Sequence, residues 1–402
     1  MRDGWKATLL SEVITISRER IDPSCLEPDY ELIHWSIPQL DETGGPSHET
    51  ASEIGSHKFA VLKDSVVYSL LNPRIPRFAK IVGGKRVVCS TEFAVLQPDS
   101  SLSLDFLYFF VSSPNFQEQV RSLAKGTTKS RERIDNKEIG KLNFKLPPLA
   151  EQKRIVDLIS SVDSYIEALQ HQLVSAKNSK SAYVNTIVSE IFAKGKKIKI
   201  ADIAEVKGGK RLPKGTPWSE EPTDHRYIRA TDIKDGIVLT ANLVYVPDDV
   251  WPVISRYVVN QGDVVITIAG TIGQVGVIPA SLDGVNLTEN AAKIVVDRKL
   301  VRSNYLGMLL GSSYYQQDID SKTKKTTQPK LGLNMINSIE IPLPELAEQD
   351  EIFSVVSQID ALITSTNDLI VQTITLRTGL LSDLLNGVHE IHASYDKVIG
   401  TA

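Results

Sequence analysis

Cysteine is nearly absent from this 402-residue chain. Only Cys25 and Cys89 occur, too few for a disulfide framework, and no Cys/His spacing matches a zinc site. An excess of one charge is also lacking. Lys and Arg number 45 against 49 Asp and Glu, a net charge of −4, so a nucleic-acid partner would have to be met by local patches. No apolar run approaches the ~20 residues of a membrane helix. The first residues, Met1-Arg2-Asp3-Gly4-Trp5, are too polar for a signal peptide, and the expected location is the cytoplasm. Hydrophobic residues at 42% and charged residues at 23% exclude disordered and collagen-like classes. The length divides into two or three folded units.

Catalytic signatures are missing as well. There is no Walker A sequence. Gly270-Thr271-Ile272-Gly273-Gln274-Val275-Gly276 follows a strand-like run, but Val277-Ile278-Pro279 continues as strand, so no helix N-terminus is available to a phosphate and a hairpin turn is expected. Asn72-Pro73-Arg74 lacks the second proline and the aromatic ring that would stack a flipped adenine. Pro98-Asp99 with Glu151-Gln152-Lys153 has the look of a metal-dependent nuclease signature, yet Lys153 is replaced by Asp350 in the repeat described next, so a structural role is expected. His389 and His392 have no third ligand in view, and the seven histidines form no triad pattern.

What the chain does contain is a long internal repeat. Leu149-Ala150-Glu151-Gln152 returns as Leu346-Ala347-Glu348-Gln349, an offset of 197 residues. At that offset Ile155 meets Ile352, Ser160 meets Ser357, Asp163 meets Asp360, and upstream Ile139 meets Ile336. Each repeat reads as a mixed segment rich in strand formers and turns, then a proline-marked entry, then a helix. In the first helix Ile155, Ile159, Val162, Ile166, Leu169 and Leu173 follow alternating steps of four and three. In the second, Ile352, Val356, Ile359, Ile363 and Ile370 do the same, with Thr366 and Thr373 as weaker members. Such seams predict that two rods pack on each other as a coiled coil. From Glu340 to Ile370 there are seven acidic residues and no basic one. The far end of the first helix and its exit carry Lys177, Lys180, Lys194, Lys196 and Lys197, so antiparallel packing is favoured.

The fold class expected is α+β: two mixed α/β domains in tandem repeat, separated by two long helices that form an antiparallel coiled coil. The boundaries read as 1–148 and 198–345 for the globular domains, 149–197 and 346–390 for the helices, and 391–402 for a flexible tail. Basic residues cluster where globular and helical parts meet. The first cluster offers Lys125, Thr127, Thr128, Lys129, Arg131 and Arg133, with Arg74 in the first domain. Its counterpart offers Lys322, Lys324, Lys325, Thr327, Gln328 and Lys330. A third candidate set is Lys207, Lys210, Arg211 and Arg229. Small hydroxyls among cations suit phosphate contacts, and Arg or Gln suits base edges. A solvated charged loop is the bland reading of any one cluster, but recurrence in both repeats favours nucleic acid.

Two globular units, each followed by a helix opening on Leu-Ala-Glu-Gln, resemble the specificity subunit of type I DNA restriction–modification systems. The resemblance covers nearly the whole chain. It is carried by Leu146-Pro147-Pro148-Leu149-Ala150-Glu151-Gln152 and its repeat, by Tyr227-Ile228-Arg229-Ala230-Thr231-Asp232-Ile233 and by Gly262-Asp263-Val264. Tyr68-Ser69-Leu70-Leu71-Asn72-Pro73 and Ser90-Thr91-Glu92-Phe93 look like the first unit's versions, although that unit lacks a clear Gly-Asp-Val. The resemblance implies two target-recognition domains, each reading half of a bipartite, asymmetric double-stranded DNA site, with the helices setting the unread spacer. It also implies no catalysis by this chain. Two adenine methyltransferase subunits using S-adenosylmethionine would dock on it, and restriction subunits using ATP and Mg would join. The rival expectation is a coiled-coil assembly scaffold whose globular domains bind protein.

Overall fold

The computed structural model describes residues 4–125, 132–195, 197–234, 236–323 and 329–395. Two compact units emerge, one of residues 1–170 with 368–402 and one of residues 171–367. Each contains one globular segment and a stretch of both long helices.

In the first unit the strand Lys6–Leu9 pairs antiparallel with Asn143–Leu146. A four-stranded antiparallel sheet runs in the order Ile14–Ser17, Phe93–Pro98, Ser65–Ser69, Phe78–Ile81. A five-stranded sheet includes one parallel pair, Glu31–Trp35 beside Val87–Ser90. The Ser65–Ser69 strand is buried throughout, and its alternation sorts two cores. Val66 and Tyr68 face the core shared with the helices, while Val67 faces a second core. A strand covered on both faces needs apolar residues at every position, hence the continuous Val-Val-Tyr run. Each full burial of this kind stabilises by about 1.5–3 kcal/mol. The helices Leu104–Ser112 and Pro114–Ser122 start at Ser103 and Ser113, whose hydroxyls accept from the Phe106 and Phe116 N–H groups.

The second unit repeats this plan. Lys197–Lys199 pairs with Glu340–Pro342, and a four-stranded sheet runs Ala204–Gly208, Ala291–Val296, Val264–Thr267, Val275–Val277. A parallel pair, Arg226–Ile228 with Val285–Leu287, again sits in the other sheet. Val264 and Ile266 face the helix-side core and Val265 the other. The Gly270–Gly273 segment is a hairpin turn, with both glycines at positive φ, 78° and 88°.

The central helix spans Leu149–Ala193 and the C-terminal helix Leu346–Leu385. The second ends earlier than residue 390 because Gly387 takes a left-handed φ of 68° and closes the last turn. In the first unit the start of the central helix packs by Ile155 and Ile159 against Leu381, Leu384 and Leu385 near the end of its partner. In the second unit the end of the central helix, Val184, Val188 and Ile191, packs with Ile352 and Val356. The helices therefore run antiparallel in each unit. Ile166, Leu169 and Ile370 are buried, whereas Val162, Leu173, Ile359 and Ile363 are half-buried. Ion pairs flank the seam: Asp163 with Arg377 in the first unit, and Lys180 with Asp360 at 2.6 and 2.8 Å in the second. The tail from residue 391, expected to be flexible, is packed as far as it is described. Ile391 is buried, its carbonyl accepts from the Arg154 guanidinium at 3.1 Å, and Tyr395 lies on the same core. No helix among the described residues is long and apolar enough to cross a membrane.

The Leu-Ala-Glu-Gln motif is explained by its glutamine. Gln152 and Gln349 are both fully buried. Gln152 accepts from the Ser103 N–H at 2.8 Å and donates to the Ser101 and Pro147 carbonyls at 2.8 and 2.9 Å. Gln349 accepts from the Arg302 N–H at 2.8 Å and donates to the Leu300 and Pro344 carbonyls at 2.9 Å each. One amide thus satisfies three backbone groups and fastens the globular part to the helix.

Candidate nucleic-acid interface

The first basic loop rises from a fixed foot. Lys125 and Arg133 exchange backbone hydrogen bonds at 3.0 and 2.9 Å, the Ile134 N–H donates to the Leu70 carbonyl, and the Asn72 N–H to that of Glu132. The foot is therefore tied to the turn that follows the Ser65–Ser69 strand. Asn72 there takes a positive φ of 51°, which asparagine tolerates better than most residues. The Arg74 guanidinium is gripped by both oxygens of Glu132 at 2.9 and 2.8 Å, and those bonds raise its pKa further. Arg133 donates to Glu92 at 3.0 Å while its side chain stays 61% exposed. Lys125 is exposed. Thr127, Thr128, Lys129 and Arg131 lie outside the described residues.

The second basic loop is anchored alike, since the Leu331 N–H donates to the Ile268 carbonyl at 2.9 Å. Lys322 pairs with Asp318 one turn earlier, and Lys330 is exposed. Lys324, Lys325, Thr327 and Gln328 lie outside the described residues.

The second unit also carries an arm, residues 208–218, in which cations are interleaved with an aromatic. A Cβ on Gly209 would come within 2.1 Å of the Thr288 carbonyl oxygen, so only glycine passes here. The Lys210 N–H donates to the Leu287 carbonyl, and its own carbonyl accepts from the Tyr227 hydroxyl at 2.9 Å. Burial pushes the Tyr227 phenol up to about 12, so it stays a donor at neutral pH. The Lys210 ammonium lies 5.8 Å from the Tyr257 ring centre, Lys207 pairs with Glu205 at 2.7 Å, and Arg211 donates to Glu289 at 2.6 Å. Arg229 is held by Asp232, which accepts from its backbone N–H and from the Nε/Nη2 edge of its guanidinium at 2.8–3.0 Å. That pairing accounts for the Arg-Ala-Thr-Asp motif as a turn lock and raises the Arg229 pKa through the Asp232 hydrogen bond.

Arm and sheet enclose an open cleft of about 620 Å³ lined by Arg211, Lys214, Thr216, Trp218, Tyr227, Arg229, Thr231 and Asn290, among others. Trp218 sits 4.8 Å from the Tyr227 ring and remains 38% exposed. The sequence reading did not single out Trp218; the run Lys210-Arg211-Leu212-Pro213-Lys214-Gly215-Thr216-Pro217-Trp218 carried the signal, cations interleaved with an aromatic. Exposed cations and hydroxyls of this kind suit phosphates, and held guanidinium forks suit base edges.

The nuclease-like residues are in structural use. Glu151 accepts from the Trp5 indole at 2.8 Å, Lys153 pairs with Asp157 at 2.6 Å, and Asp99 accepts from Ser101. No group of three potential metal ligands occurs among the described residues.

Comparison with known proteins decides the family. The profile of the type I restriction modification DNA specificity domain matches twice, over residues 2–177 and 194–375. The chain belongs to this specificity family. Among curated relatives, the MjaVIII specificity subunit of Methanocaldococcus jannaschii is 22% identical over 300 residues, 70% of this chain and 69% of that one. The EcoBI specificity subunit of Escherichia coli is 26% identical over 274 residues, 60% of this chain and 57% of its own length. Solved structures agree on the fold. A chain from a study of type I restriction–modification assembly superposes with a TM-score of 0.67 at 19% identity, covering 96% of this chain and 98% of that one. The HsdS subunit of Thermoanaerobacter tengcongensis gives 0.55 at 19% identity, with the same coverage of both chains. As a specificity subunit, this protein has a role in recognising DNA sequence.

Proposed function

We propose that this specificity subunit reads a bipartite, asymmetric double-stranded DNA site, one half through residues 1–148 and the other through residues 198–345. The helices at 149–197 and 346–390 set the unread spacer. Catalysis belongs to partners: two adenine methyltransferase subunits with S-adenosylmethionine, and restriction subunits with ATP and Mg. The complex works in the cytoplasm. The observation that supports this reading most is the duplication of the fold with a basic loop rooted at the same strand end in each unit. A protein-binding scaffold has no need to place cations there twice.

Phosphate contacts release counterions, so the test is the salt dependence of DNA binding by the subunit with its methyltransferase partner. Lys129→Ala with Arg131→Ala, or Lys324→Ala with Lys325→Ala, is expected to weaken binding and lower the salt slope by roughly one to two units. An unchanged slope in both would move the contact to the arm of Lys207, Lys210 and Arg211. Absence of salt-dependent DNA binding would favour the scaffold.

A further inference from the structure

In each unit the connection between the same two strands carries a threonine followed by a glutamate. It is Thr91-Glu92 between Val87–Ser90 and Phe93–Pro98, and Thr288-Glu289-Asn290 between Val285–Leu287 and Ala291–Val296. Each glutamate holds an arginine, but the two arginines come from unrelated places. Glu92 receives Arg133, at the foot of the first basic loop, 41 residues downstream. Glu289 receives Arg211, on the arm, 78 residues upstream. The carboxylates are the sheltered partners, 33% and 28% exposed, and the guanidiniums the open ones, 61% and 73%. Only part of each fork is engaged: Arg133 donates through Nη2 and Arg211 through Nε. A guanidinium has five N–H donors in a rigid plane, so both retain donors on the exposed side.

We propose that Arg133 and Arg211 each read the O6/N7 edge of a guanine, one in each half-site, and that Glu92 and Glu289 are positioning residues that aim them. The inference rests on the DNA-reading function above and adds which residues specify a letter. A bidentate contact to a base edge demands a defined guanidinium plane, and a carboxylate partner that takes one donor helps to orient that plane before binding. A carboxylate beside the guanidinium lowers the net positive charge at that point, which weakens a contact to a charged phosphate more than one to a neutral base edge.

The experiment is methylome sequencing of a host carrying the subunit with its methyltransferase partner. Glu92→Gln, Glu289→Gln, Arg133→Lys and Arg211→Lys are compared with the parent. The arginine variants are expected to lose roughly ten- to hundredfold of the preference for one guanine. The isosteric glutamine variants should lose less at the same letter. Residue 92 and 133 changes must affect one half-site, and 211 and 289 changes the other. Unaltered letters, an even fall of methylation at all sites, or relaxation of the same half by both pairs would overturn the inference. A parent chain that yields no bipartite motif would instead overturn the function it rests on.

Discussion

Gln152 and Gln349 make the same three hydrogen bonds from fully buried positions in the two units. Removing either amide leaves a backbone N–H and two carbonyls without it, a cost of about 1–3 kcal/mol. Gln349→Ala should therefore lower the thermal midpoint of unfolding. Gln349→Glu should lower it more, because the new oxygen faces the Leu300 and Pro344 carbonyls. An unchanged midpoint in both variants would contradict the clamp. A second residue-scale expectation concerns the thiols. Cys89 is buried and its thiol is pushed up to about 12 by that burial, while Cys25 is exposed. A thiol reagent at neutral pH should modify Cys25 alone until the first unit opens; rapid labelling of both in the native protein would show that unit to be looser than described. At this scale the sequence was only partly legible. The motif around Gln152 was visible, but which atoms it satisfies depends on loops some 50 residues away. Likewise Arg74 and Arg229 read as open cations, yet each is committed to a carboxylate, Glu132 and Asp232, that spacing alone does not single out.

The long helices were the most legible elements because their information is local. Steps of four and three with no interrupting proline fix both the helix and the face that packs. Charge then indicated antiparallel pairing; Lys180 with Asp360 is such a contact between the helices, and Lys197 with Glu340 joins the strands that follow the one and precede the other. The sheets were less legible. Strand order is set by pairings between residues such as Val95 and Ser17, far apart in sequence and each compatible with several neighbours. A double-mutant cycle tests the helix pairing. Asp163→Ala and Arg377→Ala, alone and together, should give a coupling of about 1 kcal/mol, the upper end of the range for exposed pairs, since the pair is bidentate and partly sheltered. Coupling indistinguishable from zero would mean that this ion pair adds nothing to the orientation.

For the full chain, the proposed function makes the two repeats independent readers and the helices a spacer. One heptad inserted between Asp163 and Lys180, with another between Asp360 and Arg377, keeps the seams in register. Seven residues at ~1.5 Å each add about 10 Å, roughly three base pairs at ~3.4 Å. A variant that still methylates should keep both half-sites and gain about three undefined bases between them. An unchanged spacer would show that the helices do not measure the DNA. A simpler measurement tests bipartite reading itself: the methylated motif in a host carrying the subunit and its methyltransferase partner. The expected motif has two defined half-sites of different sequence, separated by a fixed run of undefined bases, with adenine methylated. A single uninterrupted motif, or two identical half-sites related by a dyad, would contradict it.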